Sequence, residues 1–226
     1  MIRLRLFALT ITMLALSSSL PAQEGTVRGK VNIINRSKDE SGSADVVVWL
    51  TPKGSSGPVL PGPTVRLLQK NKQFLPHVLA LTVGTQVEFP NEDPFFHDVF
   101  SIYRGKPFDL GLYESGAIRK VRFSQPGVSY IFCNIHPDMS ASVVALTTPY
   151  FAVTARDGSY LLNHVPSGSY KLEIWYEHSS ESELTSSSRD LEITAGDREI
   201  ATISLHSTTA PRDHGEPYPH DKPAKY

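Results

Sequence analysis

The sequence predicts an all-β protein built from units of the sandwich or barrel type. Short segments rich in Val, Ile and aromatic residues follow one another along most of the chain, as in sandwiches and barrels. Turn residues such as Gly84-Thr85 and Gln125-Pro126-Gly127 separate several of these segments. No long segment has the 3.6-residue periodicity of an amphipathic helix. The 226 residues suffice for one large β domain or two small ones, each with its own core.

The composition favours a folded protein without a nucleic-acid partner. Hydrophobic residues make up 40% of the chain and charged residues 20%, so most of the chain is expected to fold. The formal net charge is −1. The chain therefore has no basic surplus that would attract a phosphate backbone.

The N-terminal residues predict a secretory signal peptide over residues 1–22. Arg3 and Arg5 precede the apolar run Leu6–Leu16, and small residues follow up to Ala22, which is the order of a signal peptide. Cleavage is expected after Ala22, with retention as an uncleaved anchor as the alternative. The mature protein is expected to be periplasmic or secreted, without an integral membrane segment.

The first part of the mature chain predicts a succession of short strands. Residues 51–63 are crowded with Pro, Gly and Ser and predict a linker. Asp109–Ser115 is expected to hold a short helix. The strand candidates are Val27–Ile33, Asp45–Leu50, Val65–Leu68, Val78–Val83, Gln86–Phe89, Val99–Tyr103, Arg119–Phe123, Ser129–Cys133 and Ser142–Thr147.

A second β block begins at Tyr150. The segment Ala155-Arg156-Asp157-Gly158 predicts a hairpin turn between Phe151–Thr154 and Ser159–Leu162. Apolar and polar residues alternate from Tyr170 to Tyr176, which predicts a half-buried strand. The remaining expectations are strands at Leu191–Thr194 and Ile200–Leu205, a polar surface loop at 177–188 and a disordered tail at 207–226.

The segment Cys133-Asn134-Ile135-His136-Pro137-Asp138-Met139 carries the chemistry that the sequence indicates. Its Cys, His and Met are three residues apart, and Cys133 ends a predicted strand. Because a loop leaving a strand can fold back on itself, the three side chains can meet at one point. His97, in the earlier loop after Phe89, is the expected fourth member of this set.

Two imidazoles, one thiolate and one thioether suit copper in both oxidation states. Thiolate and thioether hold Cu(I), and imidazole serves Cu(II). Zinc is the competing metal, although Met is a poor zinc ligand. Without a metal, Cys133 would be a small buried apolar side chain. As the only Cys of an exported chain it cannot form an internal disulfide.

Residues Val65–Thr147 resemble the cupredoxin family of small blue-copper proteins. The Cys133-x-x-His136-x-x-Met139 loop is similar to the short ligand loop of amicyanin. Gly84-Thr85-Gln86-Val87-Glu88-Phe89 and the later Asn91 resemble the strand leading to the first copper histidine. The resemblance implies a Greek-key β-sandwich that binds one type 1 copper ion through His97, Cys133, His136 and Met139.

One residue departs from the family pattern. Many relatives have Asn after the first copper histidine, where its side chain ties the two ligand loops together, whereas this chain has Asp98. An ionised carboxylate accepts hydrogen bonds but cannot donate them. The departure puts this tether in question, together with the copper potential that the tether helps to set.

The segments on either side of the cupredoxin-like region resemble a carboxypeptidase regulatory-like domain. The resemblance rests on Gly25–Val31 and Ala44–Leu50 before that region, and on Asp157–Leu162 and Val165–Leu172 after it. We expect the two pieces to complete one small β-sandwich, into which the copper domain is inserted, because residues 24–51 alone offer too few strands for a stable sheet. The alternative adds Val27–Leu50 to the cupredoxin as edge strands. The predicted division is 1–22 signal peptide, 24–62 first sandwich strands, 63–148 cupredoxin, 149–206 remaining sandwich strands and 207–226 tail.

The function expected from these features is single-electron transfer to an unidentified redox protein partner, without enzymatic activity. His136 is the expected exit for electrons, with Pro94, Phe95, Phe96 and Pro137 as an apolar docking patch around it. The alternatives are copper delivery and a scaffold without electron transfer. His77 is expected to be a surface residue, with an extra ligand or a gate as the other possibilities.

Overall fold

The computed structural model describes residues 23–35, 44–54, 57–102 and 105–208. The predicted signal peptide, residues 1–22, and all but the first two residues of the predicted tail lie outside the described residues. Within the described residues, no helix is both long enough and apolar enough to cross a membrane.

The described chain is all-β apart from one short helix, as the sequence predicts. The helix α1 spans Glu181–Ser187. The strands are β1 Glu24–Ile34, β2 Val47–Pro52, β3 Val65–Arg66, β4 Leu68–Lys70, β5 Gln73–Leu75, β6 Val78–Thr82, β7 Gln86–Pro90, β8 His97–Ser101, β9 Phe108–Tyr113, β10 Ile118–Arg122, β11 Gly127–Cys133, β12 Ser140–Leu146, β13 Phe151–Val153, β14 Ser159–Pro166, β15 Gly168–Trp175, β16 Arg189–Ile193, β17 Gly196–Glu199 and β18 Ile203–His206.

The first sandwich consists of a five-stranded sheet facing a three-stranded sheet. The larger sheet has the strand order β6-β12-β11-β8-β9, and the smaller has the order β10-β7-β3. Buried side chains from both sheets form one core, which includes Val87 and Phe89 from the smaller sheet and Ile131 and Val143 from the larger. The two-stranded β4–β5 hairpin lies beside this core, and Phe74 contributes a buried ring to it.

The second sandwich combines strands from both ends of the chain. One sheet has the order β14-β1-β17, with β18 also paired to β1, and the other has the order β13-β2-β15-β16. Strand β1 pairs antiparallel with β14, and β2 pairs antiparallel with β13 and β15. Among the described strands, β2 has no partner in the first sandwich. This pairing is required if the first sandwich is inserted into the second. The domain boundaries given above remain a proposal.

The chain leaves and re-enters the second sandwich at one place. The Thr148 hydroxyl donates to the Leu50 carbonyl at 2.7 Å, and the Leu50 N–H donates to the Tyr150 carbonyl at 2.9 Å. On the other side, Thr82 accepts a hydrogen bond from the Gly62 N–H at 2.8 Å and lies opposite Leu146 in the sheet. The two ends of the first sandwich therefore lie side by side.

The five-stranded sheet is buried on both faces around its strand β12. Along β12, Ala141, Val143 and Ala145 belong to the core of the first sandwich. The alternate residues Val144 and Leu146 belong to the core of the second. The second sandwich therefore packs against the outer face of β12, which explains why residues 143–146 of this strand form a continuous apolar run.

The predicted helix at Asp109–Ser115 is wrong, because this segment forms strand β9. It pairs with β8, and His97 lies opposite Tyr113. Gly111 adopts a positive φ of 63°, which interrupts a helix but is accommodated beside the register shift in this strand pair. The tertiary partner β8 decides the conformation of a segment whose local pattern is ambiguous.

The predicted surface loop at 177–188 contains the helix α1. Ser180 caps the helix, since its side chain accepts a hydrogen bond from the Glu183 N–H at 3.2 Å, and Leu184 is buried. The Ser180-x-x-Glu183 pattern is a helix-start signal that the Ser-rich composition obscured.

The predicted turn at Ala155–Gly158 is present, with the Gly158 N–H donating to the Ala155 carbonyl. Its flanking strands β13 and β14, however, join opposite sheets rather than one hairpin.

Candidate metal centre

Two neighbouring strands of the five-stranded sheet position the first two predicted ligands. His97 begins β8 and Cys133 ends β11, and Cys133 lies opposite Val99 in this strand pair. The loop after Cys133 is anchored at both ends. The Asn134 N–H donates to the Asp98 carbonyl at 2.9 Å, and the Met139 N–H donates to the His136 carbonyl at 2.9 Å. A strand ending in a tight loop therefore brings His136 back toward Cys133.

The side chains of His97, Cys133 and His136 converge on one point. The Cys133 Sγ lies 3.5 Å from His97 Nδ1 and 3.6 Å from His136 Nδ1. The two Nδ1 atoms are 3.2 Å apart. His97 is fully buried, Cys133 is buried and unpaired with any other Cys, and His136 is partly buried.

The size of this triangle fits a transition-metal ion. A point equidistant from the three atoms lies about 2.0 Å from each of them, close to the roughly 2.0–2.3 Å that nitrogen and sulfur ligands adopt around zinc. Within the described residues, this is the one cluster of three His, Cys, Asp or Glu side chains that meets the spacing for a metal ion. These three donor atoms could hold such an ion between them.

Met139, the fourth predicted ligand, lies on the interior side of the loop. Its side chain is 1% exposed and belongs to the same buried cluster as Cys133. The ligand role of Met139 is an expectation from the sequence, and its burial next to the loop is compatible with that role.

Asp93 is a functional candidate that the sequence analysis missed. Its Oδ2 lies 2.9 Å from His97 Nε2, on the side of the ring opposite the cluster, and both side chains are buried. Burial raises the pKa of Asp93, but hydrogen bonds from the Lys72 N–H, from His97 and from the Asn71 N–H outweigh this effect and hold the pKa below its usual range. The Asn91-Glu92-Asp93-Pro94 segment has the composition of a surface turn, and only the position of the β4–β5 hairpin reveals its role.

A tether between the His97 strand and the Cys133 loop is present despite the departure at Asp98. The Asn134 Nδ2 donates to Asp98 Oδ2 at 3.1 Å, beside the backbone hydrogen bond between the same residues. The donor is therefore on the Cys133 loop and the acceptor on the His97 strand. The other carboxylate oxygen, Asp98 Oδ1, is buried and has no hydrogen-bond partner among the described residues.

The rim around His136 is apolar. The Phe95 ring lies 5.4 Å from the His97 ring and 5.3 Å from the His136 ring, measured between centroids. Phe96 is 50% exposed and Ile135 is 46% exposed, and Pro94 and Pro137 are exposed as well. Burial and the neighbouring His97 lower the pKa of His136, which favours the neutral imidazole that a metal requires.

His77 does not join the cluster. Its Nε2 lies 2.6 Å from Glu177 Oε2, and its Nδ1 lies 3.2 Å from the Ser140 carbonyl. The hydrogen bond with Glu177 raises the pKa of His77 despite the opposing effect of burial. His77 belongs to the first sandwich and Glu177 follows β15 of the second, so this pair joins the two units.

Comparisons with known proteins give partial structural likenesses. No protein-family model and no curated protein matches the chain. Among solved structures, the chain is similar to a copper-containing nitrite reductase (NirK) from Thermus scotoductus SA-01, at 28% identity over 43% of this chain and 26% of that one, with a TM-score of 0.37. The chain thus matches about a quarter of that protein's length.

Two smaller proteins are matched over nearly their whole length. One is a purple cupredoxin from Nitrosopumilus maritimus, at 23% identity over 36% of this chain and 99% of that one, with a TM-score of 0.33. The other is amicyanin from Paracoccus versutus, at 21% identity over 43% of this chain and 97% of that one, with a TM-score of 0.34.

Proposed function

We propose that the chain is an exported copper protein that carries single electrons to a redox protein partner, with one copper ion held by His97, Cys133, His136 and Met139. The observation that carries the proposal is the convergence of Cys133 Sγ and the two histidine Nδ1 atoms within 3.6 Å of one another. The proposed location is the periplasm or the exterior of the cell.

The chemistry of the donor set favours copper over zinc. Structural zinc sites have four strong ligands, mostly Cys and His, and catalytic zinc sites keep a position open for water. Here the donor atoms are two imidazole nitrogens and one sulfur, with Met139 buried nearby. Copper bound there would supply the redox chemistry, because such a His₂Cys set serves both Cu(I) and Cu(II).

The chain's own residues prepare this site in three ways. The strand pair β8–β11 fixes His97 and Cys133 relative to each other. The surrounding apolar core, including Phe89 and Ile131, keeps water away from the thiolate. The Asn134–Asp98 hydrogen bond holds the ligand loop against β8. A site held this firmly changes little when its charge changes, which favours rapid electron exchange.

The apolar rim provides the proposed docking surface. His136 is the predicted ligand nearest to this rim, and Phe95, Phe96, Ile135 and Pro137 surround its loop. The exposed apolar side chains of this rim favour brief contact with a partner that approaches within electron-transfer distance, with Lys72 and Asp138 as charges beside them. We place the exit for electrons at His136 and assign no enzymatic activity to the chain.

Reconstitution with Cu(II) tests the proposal. The oxidised protein is expected to bind one copper per chain and to show an intense blue or violet absorption from charge transfer between Cys133 and copper. Cys133→Ser is expected to lose this absorption, while Ser129→Ala serves as a control in the same strand. A coloured Cys133→Ser protein, or a wild type that takes up only zinc from a copper-replete solution, overturns the assignment.

Electron self-exchange separates an electron carrier from a delivery protein. A carrier is expected to exchange electrons rapidly between Cu(I) and Cu(II) copies and to retain its copper against a chelator. Slow self-exchange combined with fast copper loss would instead indicate delivery.

A further inference from the structure

The buried carboxylate of Asp93 lies behind His97, the ligand that is farthest from solvent. Asp93 is 3% exposed, and its Oδ2 lies 2.9 Å from His97 Nε2. An imidazole has two ring nitrogens, and His97 turns its Nδ1 toward Cys133. The carboxylate therefore contacts the one ring nitrogen that does not face the metal cluster.

The turn of the β4–β5 hairpin holds this carboxylate in place. Asn71 and Lys72 both have positive φ angles, of 55° and 56°, as in the tight turns that join neighbouring strands. The Asn71 N–H donates to Asp93 Oδ1 at 2.6 Å, and the Lys72 N–H donates to Asp93 Oδ2 at 3.0 Å. Asn91 fixes the backbone of Asp93 from the other side, because its Oδ1 accepts the Asp93 N–H at 3.0 Å.

This arrangement determines which nitrogen of His97 carries the proton. Each Asp93 oxygen already accepts a backbone N–H, so the carboxylate acts as an acceptor. The His97 Nε2 facing it must then be the donor, and Nδ1 is left with its lone pair directed at the cluster. A hydrogen bond of this kind fixes the tautomer of a ligating imidazole and raises its basicity.

We infer that Asp93, clamped by the Asn71-Lys72 turn, is a positioning residue that fixes the metal-binding tautomer of His97 and stabilises the oxidised copper site. The effect on the copper rests on the proposed function, whereas the effect on the tautomer concerns the metal-free protein. The rival role for Asp93 is purely structural, as an anchor for the hairpin turn.

Nitrogen NMR of the metal-free protein tests the tautomer directly. In the wild type, His97 is expected to be protonated at Nε2 and unprotonated at Nδ1. In Asp93→Leu, both acceptor oxygens are removed, and His97 Nε2 no longer faces an acceptor. We expect a mixture of tautomers or a shift to the Nδ1–H form. Asp138→Asn, which removes the same charge from an exposed position in the ligand loop, is expected to leave the tautomer unchanged.

Voltammetry of the copper-loaded proteins tests the second effect. Asp93→Asn is expected to lower the affinity for Cu(II) relative to Cu(I) about tenfold, which corresponds to a rise of about 59 mV in the one-electron potential. Asp138→Asn is expected to give a smaller rise, because its exposed charge is screened by water and salt.

Three outcomes overturn the inference. The first is a wild-type, metal-free His97 that carries its proton on Nδ1, and this result does not depend on any variant being folded. The second is a folded Asp93→Leu protein with an unchanged tautomer, and the third is a folded Asp93→Asn protein with an unchanged potential, since either leaves Asp93 as a hairpin anchor only. A wild type that binds no copper defeats the proposed function, and the tautomer measurement still decides the role of Asp93.

Discussion

At the scale of single residues, the four predicted ligands differ in how firmly the chain holds them. His97 and Cys133 lie on paired strands, and the Asp93 carboxylate contacts His97 from behind. His136 lies in the loop and is only partly buried. Met139 is fully enclosed in the apolar core. We therefore expect His97 and Cys133 to fix the position of the metal. We expect the loop residue Met139 to have a smaller effect, which is on the reduction potential.

Met139→Leu tests the loop contribution. The substitution conserves volume in a buried site and should therefore cost less than about 1.5 kcal/mol of stability. We expect the copper protein to keep its colour and to show a higher reduction potential, because loss of a weak thioether donor destabilises Cu(II) more than Cu(I). Voltammetry of the two proteins measures this. An unchanged or lower potential would remove Met139 from the ligand set.

At the scale of elements, the approach of His136 to Cys133 could be predicted from the sequence because the information for it is local. A strand-like run ends at Cys133, Pro137 bends the chain, and the Cys, His and Met recur at constant spacing. The side chains of Cys133 and His136 do converge. Asp93 could not be found in this way, because its role depends on a hairpin turn about twenty residues earlier in the chain.

The misassigned elements fail for a related reason. The local pattern of Phe108–Tyr113 is compatible with a helix, and pairing with β8 makes it a strand. The helix α1 is short and depends on its cap and on burial of Leu184. In both cases a contact distant in sequence, or a single capping side chain, outweighs the average composition of the segment.

The pairing of β1 in the second sandwich can be tested at one glycine. Gly25 lies opposite Gly196 of β17, and a Cβ at this position would approach the Thr194 carbonyl oxygen to 2.6 Å and that of Gly196 to 2.9 Å. Because these are backbone atoms, Gly25→Ala is expected to destabilise the fold by about 1–3 kcal/mol in urea unfolding. Gly54→Ala is the control, since a Cβ there meets no atom within 4 Å. Equal stability of the two variants would contradict the pairing of β1 with β17.

At the scale of the whole molecule, a buried face and the His77–Glu177 ion pair connect the two sandwiches. Val78, Tyr130, Val144 and Leu146 of the first sandwich lie in the core of the second. Beside them, His77 bonds to both Glu177 of the second sandwich and the Ser140 carbonyl, directly after Met139. The packing of the second sandwich is therefore connected to the base of the ligand loop.

This ion pair predicts a pH dependence of stability. Glu177, followed by Asp45 as a more distant charge, raises the pKa of His77 above its ordinary 6.5. The contribution of the pair is therefore complete below pH 6.5 and is lost as the pH rises through the folded-state pKa. In urea unfolding of the metal-free protein, Glu177→Gln should lose stability at low pH and approach the wild type at high pH. Glu92→Gln, which breaks an exposed pair with Lys70, should show no such trend, and a parallel trend in both variants would contradict the assignment.

The side-by-side ends of the first sandwich have a consequence for the order of folding. Thr148 and Leu50 are hydrogen-bonded although they are 98 positions apart, and closing a flexible loop of that length costs roughly 4 kcal/mol of chain entropy beyond a constant. If residues 63–148 have already collapsed, only the short linker before Pro63 stays free, and the same relation gives about 2 kcal/mol. The kinetically favoured route is thus one in which the first sandwich folds before the second. During synthesis, β1 and β2 stay unpaired until β13 and β14 have been made.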